Sequence, residues 1–221
     1  MIEVDGKRLV IDTGPDFRYQ MLRAGVKDIR AVLLTHGHKD HIAGLDDMRA
    51  FNWVNKQAHK GAAVDIYSDA RTQEVIYREF GYAFAEDKYP GVPTYNLHVI
   101  DTKPFFIDDI EVIPLPVVHY ELVILGFRIG NFAYITDVSY IPDDTMEKLK
   151  GVEYMVLDAL REEPHVSHLT LSQAVDILQK LQVKQGWFTH IGHQMGLTKD
   201  FIRKLPANIR PAYDEMVIDI S

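Results

Sequence analysis

Strand-like and helix-like patterns alternate along the whole chain. IEVDGKRLVID (2–12) sets alternating and β-branched residues on either side of Asp5-Gly6, a turn dipeptide, and predicts a β-hairpin. AVLLT (31–35) is a short apolar run suited to a buried strand, and GLDDMRAFNWV after it has helical spacing. VDIYS (64–68) reads as a strand and 70–80 as a helix. EDKYPGVPTYN, rich in Pro and Gly, reads as a loop before the strand-like LHVID. Between 105 and 137 several strands follow in succession, FFID, IEVIPLPVV, LVILGFRI and NFAYITD, with Gly130-Asn131 as a hairpin turn. The remainder alternates helix 143–150, strand 152–158, helix 171–181, strand 186–190, helix 198–204 and strand 215–220. Mixed hairpins and βα units, with no composition break and no internal repeat, predict one α/β domain over 1–221.

Composition narrows the chemistry. With 221 residues, 47% hydrophobic and 25% charged, the chain can bury a core of its own. MIEVDGKRLV lacks the basic start and apolar run of a signal peptide, and no stretch approaches the roughly 20 apolar residues of a membrane span. The expectation is a cytoplasmic protein with no membrane partner. The absence of cysteine excludes disulfides, thiolate metal sites and thiol catalysis, so a metal must be held by His, Asp or Glu. A net charge of -8 works against a broad grip on nucleic acid.

AVLLTHGHKDHIAGLDD (31–47) concentrates ligand-type residues. In extended chain, residues two apart point the same way, so His36 and His38 leave the strand end on one side. Asp40 and His41 follow where the next helix begins, so that two pairs of ligands face one small volume. Imidazoles with a carboxylate suit Zn²⁺, Mn²⁺ or Fe²⁺, whereas an all-oxygen shell would suit Mg²⁺ or Ca²⁺. Gly37 and Gly44 leave room for close backbone approach.

THGHKDH resembles the His-x-His-x-Asp-His signature of the metallo-β-lactamase superfamily, and the resemblance runs over nearly the whole chain. It implies an αβ/βα sandwich of two mixed sheets flanked by helices, and two divalent metal ions, Zn or Mn. It also implies further ligands at later strand ends, which VVHYEL, AYITDVS and WFTHIGH supply as His119, Asp137 and His190. By similarity His36, His38 and His119 hold one ion, Asp40, His41 and His190 the other, and Asp137 bridges them. Asp40 thereby counts both as a ligand and as a catalytic carboxylate. Asp12, in LVIDTG, resembles a second-strand aspartate of the superfamily that orients the site through hydrogen bonds.

Two such ions share a hydroxide that attacks a phosphodiester, and the leaving alkoxide then needs a proton. RNase Z and the PhnP-type phosphodiesterases place a general-acid histidine in an HLT setting, which here is His168 in SHLTLSQ, with His165 as the lesser candidate. His59 and His98 lie in segments without evident partners and read as surface residues. A cysteine-containing lactamase site is excluded, the helices of a glyoxalase II are missing, and the oxygen-reducing diiron branch usually has Glu in place of His38. LTHGHKDHIAGLDDMR, IDTGPDFR and THIGHQMG look most like the PhnP branch, whose activity opens a cyclic phosphate on ribose. The expected partner is therefore a small phosphodiester. An RNase Z-like tRNA 3′-processing nuclease is the alternative, against which stands the lack of an evident tRNA-gripping arm. A non-catalytic metal-binding interaction module is the alternative of another class, against which stands the full ligand set.

PhnP-type relatives open with a strand, a Gly-Thr-Gly-Thr-Ser turn and a cysteine cluster ahead of the segment equivalent to IEVDGKRLVID, with which this sequence begins. In that branch the second histidine of THIGH joins the cysteines in a structural zinc site. His193 is thus expected to be an orphaned ligand, and an uncovered sheet edge to favour a homo-oligomer.

Overall fold

The computed structural model describes residues 1–57, 61 and 63–220. The chain forms two compact units, 1–101 and 102–221. No helix among the described residues is long and apolar enough to cross a membrane.

The first unit runs β1 (Ile2–Val4), β2 (Lys7–Ile11), α1 (Phe17–Arg23), β3 (Ala31–Leu33), α2 (Lys39–Ile42), a 3₁₀ turn at Ala43–Met48, α3 (Arg49–Gln57), β4 (Val64–Ser68), α4 (Ala70–Glu79) and β5 (Tyr95–Val99). Its five-stranded sheet has the order β1-β2-β3-β4-β5, with β1 and β2 antiparallel and the rest parallel. Asp5 and Gly6, both at positive φ, make the expected hairpin turn. Val10, Val32, Leu34, Val64 and Ile66 form one core with Phe17, Ile42, Leu45, Met48, Phe51 and Ile76. Every side chain of β3 is buried, as a parallel strand in mid-sheet requires.

The second unit runs β6 (Phe105–Ile107), β7 (Ile110–His119), β8 (Leu122–Ile129), β9 (Phe132–Ile135), α5 (Asp143–Lys148), β10 (Tyr154–Asp158), α6 (Leu171–Lys180), β11 (Gln185–Thr189), α7 (Thr198–Phe201) and β12 (Ile209–Pro211). The seven strands are ordered β12-β11-β10-β9-β8-β7-β6. β6 to β9 pair antiparallel and β9 to β12 parallel, giving the second mixed sheet that the resemblance implied. Pro114 and Pro116 fit within β7 because β6 pairs only with Ile110–Val112. Beyond that point the free side of β7 is bonded by side chains: Lys148 Nζ donates to the Pro114 carbonyl at 3.0 Å and Thr145 Oγ1 to that of Pro116 at 2.6 Å.

Most predicted elements appear, with instructive differences. The helical spacing after residue 43 begins as a 3₁₀ turn before α3, and Tyr95 and Asn96, read as loop, open β5. The predicted strand at 215–220 is absent. β12, three residues at Ile209–Pro211, takes the place beside β11, and after it a turn closes with Met216 N–H on the Tyr213 carbonyl. Met216, Ile218 and Ile220 are half-buried and Val217 is 90% exposed, so the alternation of MVIDI half-buries one face without forming a strand. α1 has too few turns to show a period in sequence. His98 is not a lone surface residue: its Nε2 lies 2.9 Å from Asp65 Oδ1 and its ring stacks on Tyr67. Burial would raise the Asp65 pKa, but hydrogen bonds from His98, Arg30 and Asn96 outweigh it and hold the carboxyl below its usual range. His59 lies outside the described residues.

Two turns of the first unit are clamped together: Thr13 N–H donates to the His41 carbonyl at 2.7 Å and Gly44 N–H to that of Thr13 at 2.8 Å. A Cβ on Gly44 would lie 2.5 Å from Phe17 Cβ and 2.7 Å from the Gly14 carbonyl, so glycine is what permits the approach. Gly37 instead faces the side chain of Val75, at 3.0 Å from such a Cβ. Gly44→Ala is expected to cost about 1–3 kcal/mol through overpacking, read by thermal or denaturant unfolding. An unchanged transition would show that the clamp tolerates a side chain.

Candidate functional site

In parallel sheets, chemistry gathers where strands end at their carboxyl side. In the first unit Asp12 directly follows β2, and Thr35 and His36 lie just beyond the end of β3. Asp12 adopts φ 57°, which turns its carboxylate back onto the neighbouring strand end. Its Oδ1 accepts the Thr35 N–H at 2.8 Å, and its Oδ2 accepts the Thr35 hydroxyl at 2.8 Å and faces His41 Nδ1 at 2.7 Å. Thr35 Oγ1, having donated to Asp12, can accept from His36 Nδ1 at 3.0 Å. One carboxylate thus sets the orientation of two imidazoles, directly for His41 and through Thr35 for His36. With Nδ1 engaged, each ring turns its Nε2 the other way, which is the nitrogen a divalent ion would take.

The three histidines after β3 lie close together. The His36 ring centroid lies 4.4 Å from that of His38 and 4.2 Å from that of His41. His41 Nε2 is 3.3 Å from Asp40 Oδ2, and the Asp40 side chain is 59% exposed. His38 precedes α2 in extended conformation, and the His41 N–H closes the turn on its carbonyl at 3.0 Å. Three imidazoles and a carboxylate at such separations have the donor chemistry of a zinc or manganese site.

The second unit repeats the design. Asp137 follows β9, Asp158 ends β10 and His190 follows β11, and these strands are parallel neighbours. Asp137 (φ 54°) and His190 (φ 53°) are both left-handed, a conformation that costs side-chain-bearing residues of order 1–3 kcal/mol and tends to gather at functional sites. Asp137 is buried; its Oδ2 accepts the Thr136 hydroxyl at 2.7 Å, while its Oδ1 lies 3.1 Å from His190 Nε2 and 3.9 Å from His168 Nε2. His119, at the end of β7, donates from Nδ1 to the Ser167 carbonyl at 3.0 Å. Ligand atoms of His119, Asp137 and His168 all lie within 4.8 Å of one another.

His168 is held by the start of α6. Thr170 caps that helix, accepting from the Gln173 N–H while the Gln173 side chain accepts from the Thr170 N–H. Leu160 N–H donates to the Leu169 carbonyl and Leu171 N–H to that of Arg161, closing the loop that carries His165 and His168. Arg161 pins the same loop through the carbonyls of Glu163 and Pro164. The buried His168 ring stacks on His190 at 4.7 Å and 19°. Its Nδ1 faces Asp158 Oδ2 at 3.4 Å.

Asp158, fully buried, was not singled out in the sequence. Its Oδ1 accepts the Val138 N–H at 2.8 Å. Burial pushes its carboxyl above the usual range, against the opposing pull of His168 and the Val138 N–H, while the nearby Asp137 charge adds to the rise. A signal existed: VLD repeats the pattern of VID and ITD, an apolar strand that ends in aspartate.

His165 is exposed on the loop, its Nδ1 accepting from the Ser167 N–H at 3.3 Å and its ring 5.1 Å from His168. Desolvation first, and then the electrostatic influence of His168 and Arg161, lower its pKa. His193 is exposed in a 3₁₀ turn and joins no group of metal-ligand type among the described residues.

The model of the beta-lactamase superfamily domain matches residues 7–191. A solved diphosphatase from the PhnP family shares 40% identity at a TM-score of 0.90, covering 99% of this chain and 82% of that one. An octanoyltransferase of Porphyromonas gingivalis is 37% identical over 218 residues, which is 97% of this chain but 43% of that protein. The chain therefore spans less than half of that relative's length. A ribonuclease Z of Mycobacterium bovis strain BCG is 25% identical over 178 residues, covering 74% of this chain and 64% of its own.

If Asp12 orients the imidazoles as its contacts indicate, Asp12→Ala should weaken metal affinity roughly 10- to 100-fold, measured by chelator competition. Unaltered affinity would reduce Asp12 to a turn residue.

Proposed function

The chain belongs to the metallo-β-lactamase superfamily, in its PhnP branch, and we propose that it is a metal-dependent hydrolase that cleaves a small phosphoric diester, with cyclic phosphates the first class to test. His168 carries the reading: a buried imidazole beside Asp137, backed by a buried carboxylate and set on a capped helix. A histidine placed only for packing would not need Asp158 behind it.

In this reading His36, His38 and His119 hold one divalent ion, Asp40, His41 and His190 a second, and Asp137 serves both. When bound, the ions supply an activated water and neutralise charge on the phosphoryl oxygens. Asp12, Thr35 and the Ser167 carbonyl engage the Nδ1 atoms of His41, His36 and His119, so that these ligands are oriented before an ion arrives. His168 gives its Nε2 proton to the leaving oxygen, and Asp158 faces Nδ1 to hold the ring in place while that proton is lost. His165, exposed on the same loop with its ring 5.1 Å from that of His168, remains the lesser candidate for the acid.

The diphosphatase and the ribonuclease Z among the relatives both support phosphoryl chemistry, and they differ in substrate size. A net charge of -8 favours the small substrate, because a polyanion as large as tRNA is normally met by a clustered basic surface. Zn²⁺ and Mn²⁺ both suit the donor set.

The test is a parallel assay of bis(p-nitrophenyl) phosphate, ribose cyclic phosphates, a diphosphate ester and precursor tRNA with each metal. Faster turnover of precursor tRNA than of every small ester would favour the ribonuclease reading. Inertness of the metal-loaded protein towards all four would favour a non-catalytic binding module. His168→Ala should keep its metals and lose roughly 10²- to 10⁴-fold in rate on alkyl leaving groups, with a smaller loss for p-nitrophenolate, which departs without a proton. Asp158→Asn should show the same dependence on leaving group. Equal losses for both kinds of ester would remove the pair from that role.

A further inference from the structure

The loop that carries His36 and His38 is braced from a second direction. The hydrogen bonds of Asp12 reach Thr35 and His41. Gly37, between the two histidines, is covered instead by α4. A Cβ at Gly37 would lie 3.0 Å from both Cβ and Cγ2 of Val75 and 3.3 Å from its Cγ1, so the helix sits as close to this peptide as a glycine allows. Val75 has little freedom to turn aside, because a β-branched residue in a helix keeps essentially one χ1 rotamer. The helix is fixed as well. Asp69 caps its first turn by accepting the Thr72 N–H at 2.8 Å, and Ile76, next to Val75, is fully buried in one core with Leu34 and Ile66.

Lys39, on the other side of His38, meets the end of the same helix. Its Nζ lies 3.3 Å from Glu79 Oε2, one turn on from Val75, and 5.3 Å from the centroid of the Phe80 ring. The Lys39 side chain is 65% exposed, so this ion pair adds little by itself. The rigid contact is that of Val75 on Gly37.

We propose that Val75 is a positioning residue for His36 and His38: its methyl groups, seated on Gly37, set the path of the peptide between the two ligands and so the spread of their rings, whose centroids lie 4.4 Å apart. The inference rests on the metal reading above and adds to it an apolar residue from a helix that supplies no ligand. Asp12 and Thr35 govern how the rings of His41 and His36 are turned, and Val75 governs how far apart His36 and His38 are carried. Two opposite errors would disturb that spacing. Trimming Val75 opens a gap into which the loop relaxes, and adding a methyl to Gly37 drives the loop off the helix. Made together, the two changes move a methyl from helix to loop and restore most of the fill.

The test uses Gly37→Ala, Val75→Ala, the double variant and Val75→Thr, with Co²⁺ as the probe ion. Chelator competition reads affinity, the Co²⁺ ligand-field spectrum reads ligand geometry, and thermal unfolding of the metal-free chain reads stability. Each single alanine variant should lower affinity roughly 10-fold and alter the spectrum. The double variant should recover most of that loss, and Val75→Thr, which keeps the branched shape, should retain the wild-type spectrum. If Gly37→Ala fails to fold, Val75→Ala against Val75→Thr decides the matter. A residue that serves stability alone would shift metal-free unfolding and leave affinity and spectrum unchanged, and that result would overturn the inference, as would losses that simply add in the double variant. A wild-type chain that takes up no Co²⁺ would sink the metal reading and this inference with it, whereas normal uptake by the wild type and by both alanine variants would sink this inference only.

Discussion

The carboxylate of Asp12 is the constraint on which the first half of the site depends. It accepts two hydrogen bonds from Thr35 and faces the Nδ1 of His41, so one residue at the end of β2 ties down the end of β3 and the start of α2. Without it, the His-x-His-x-Asp-His loop would leave the sheet with its rings free to rotate, and ordering them would fall to the metal itself. Engaging Nδ1 beforehand removes that entropic cost from binding. The glycines at 14 and 44 serve the same end, since their missing side chains let the two turns meet backbone to backbone.

The second unit solves the same problem with different parts. Buried Asp137 and partly exposed His190 take left-handed conformations just after β9 and β11, the strands on either side of β10, so their carboxylate and imidazole meet where parallel strands stop. The backbone cost is sustained by a sheet whose register is fixed on both sides, β10 lying between β9 and β11. His168 is placed by a helix cap rather than by a strand. The Thr170–Gln173 capping box and the bridge between Arg161 and Thr170 fix the loop, and Asp158 faces the ring. The same loop also holds His119, through the Ser167 carbonyl, so the placement of His168 and that of His119 are coupled.

Much of this was legible in sequence because it follows from local pattern. Period-two alternation gave β1, β2 and β6 to β9 to within a few residues, and three imidazoles within six positions marked a candidate ligand cluster, whose rings lie together in the structure. What escaped was non-local. Residues 215–220 alternate as a strand would, yet β12 at Ile209–Pro211 already holds the edge beside β11, and alternation cannot say which of two segments wins a ladder. Asp158 escaped because its meaning comes from burial and from a histidine ten residues on, in the next loop. His98 was read as solitary because its partner, Asp65, lies on the neighbouring strand rather than nearby in sequence.

The central claim is that the histidine cluster after β3 and the His119, Asp137 and His190 set act together as a dinuclear metal centre. The most direct measurement is elemental analysis of protein saturated with Zn²⁺ or Mn²⁺ and freed of loosely bound ions, with Asp137→Ala measured alongside. The account predicts two ions per wild-type chain and a loss of bound metal on removal of the shared carboxylate. At most one ion per wild-type chain, or two ions that survive Asp137→Ala with unchanged affinity, would contradict it.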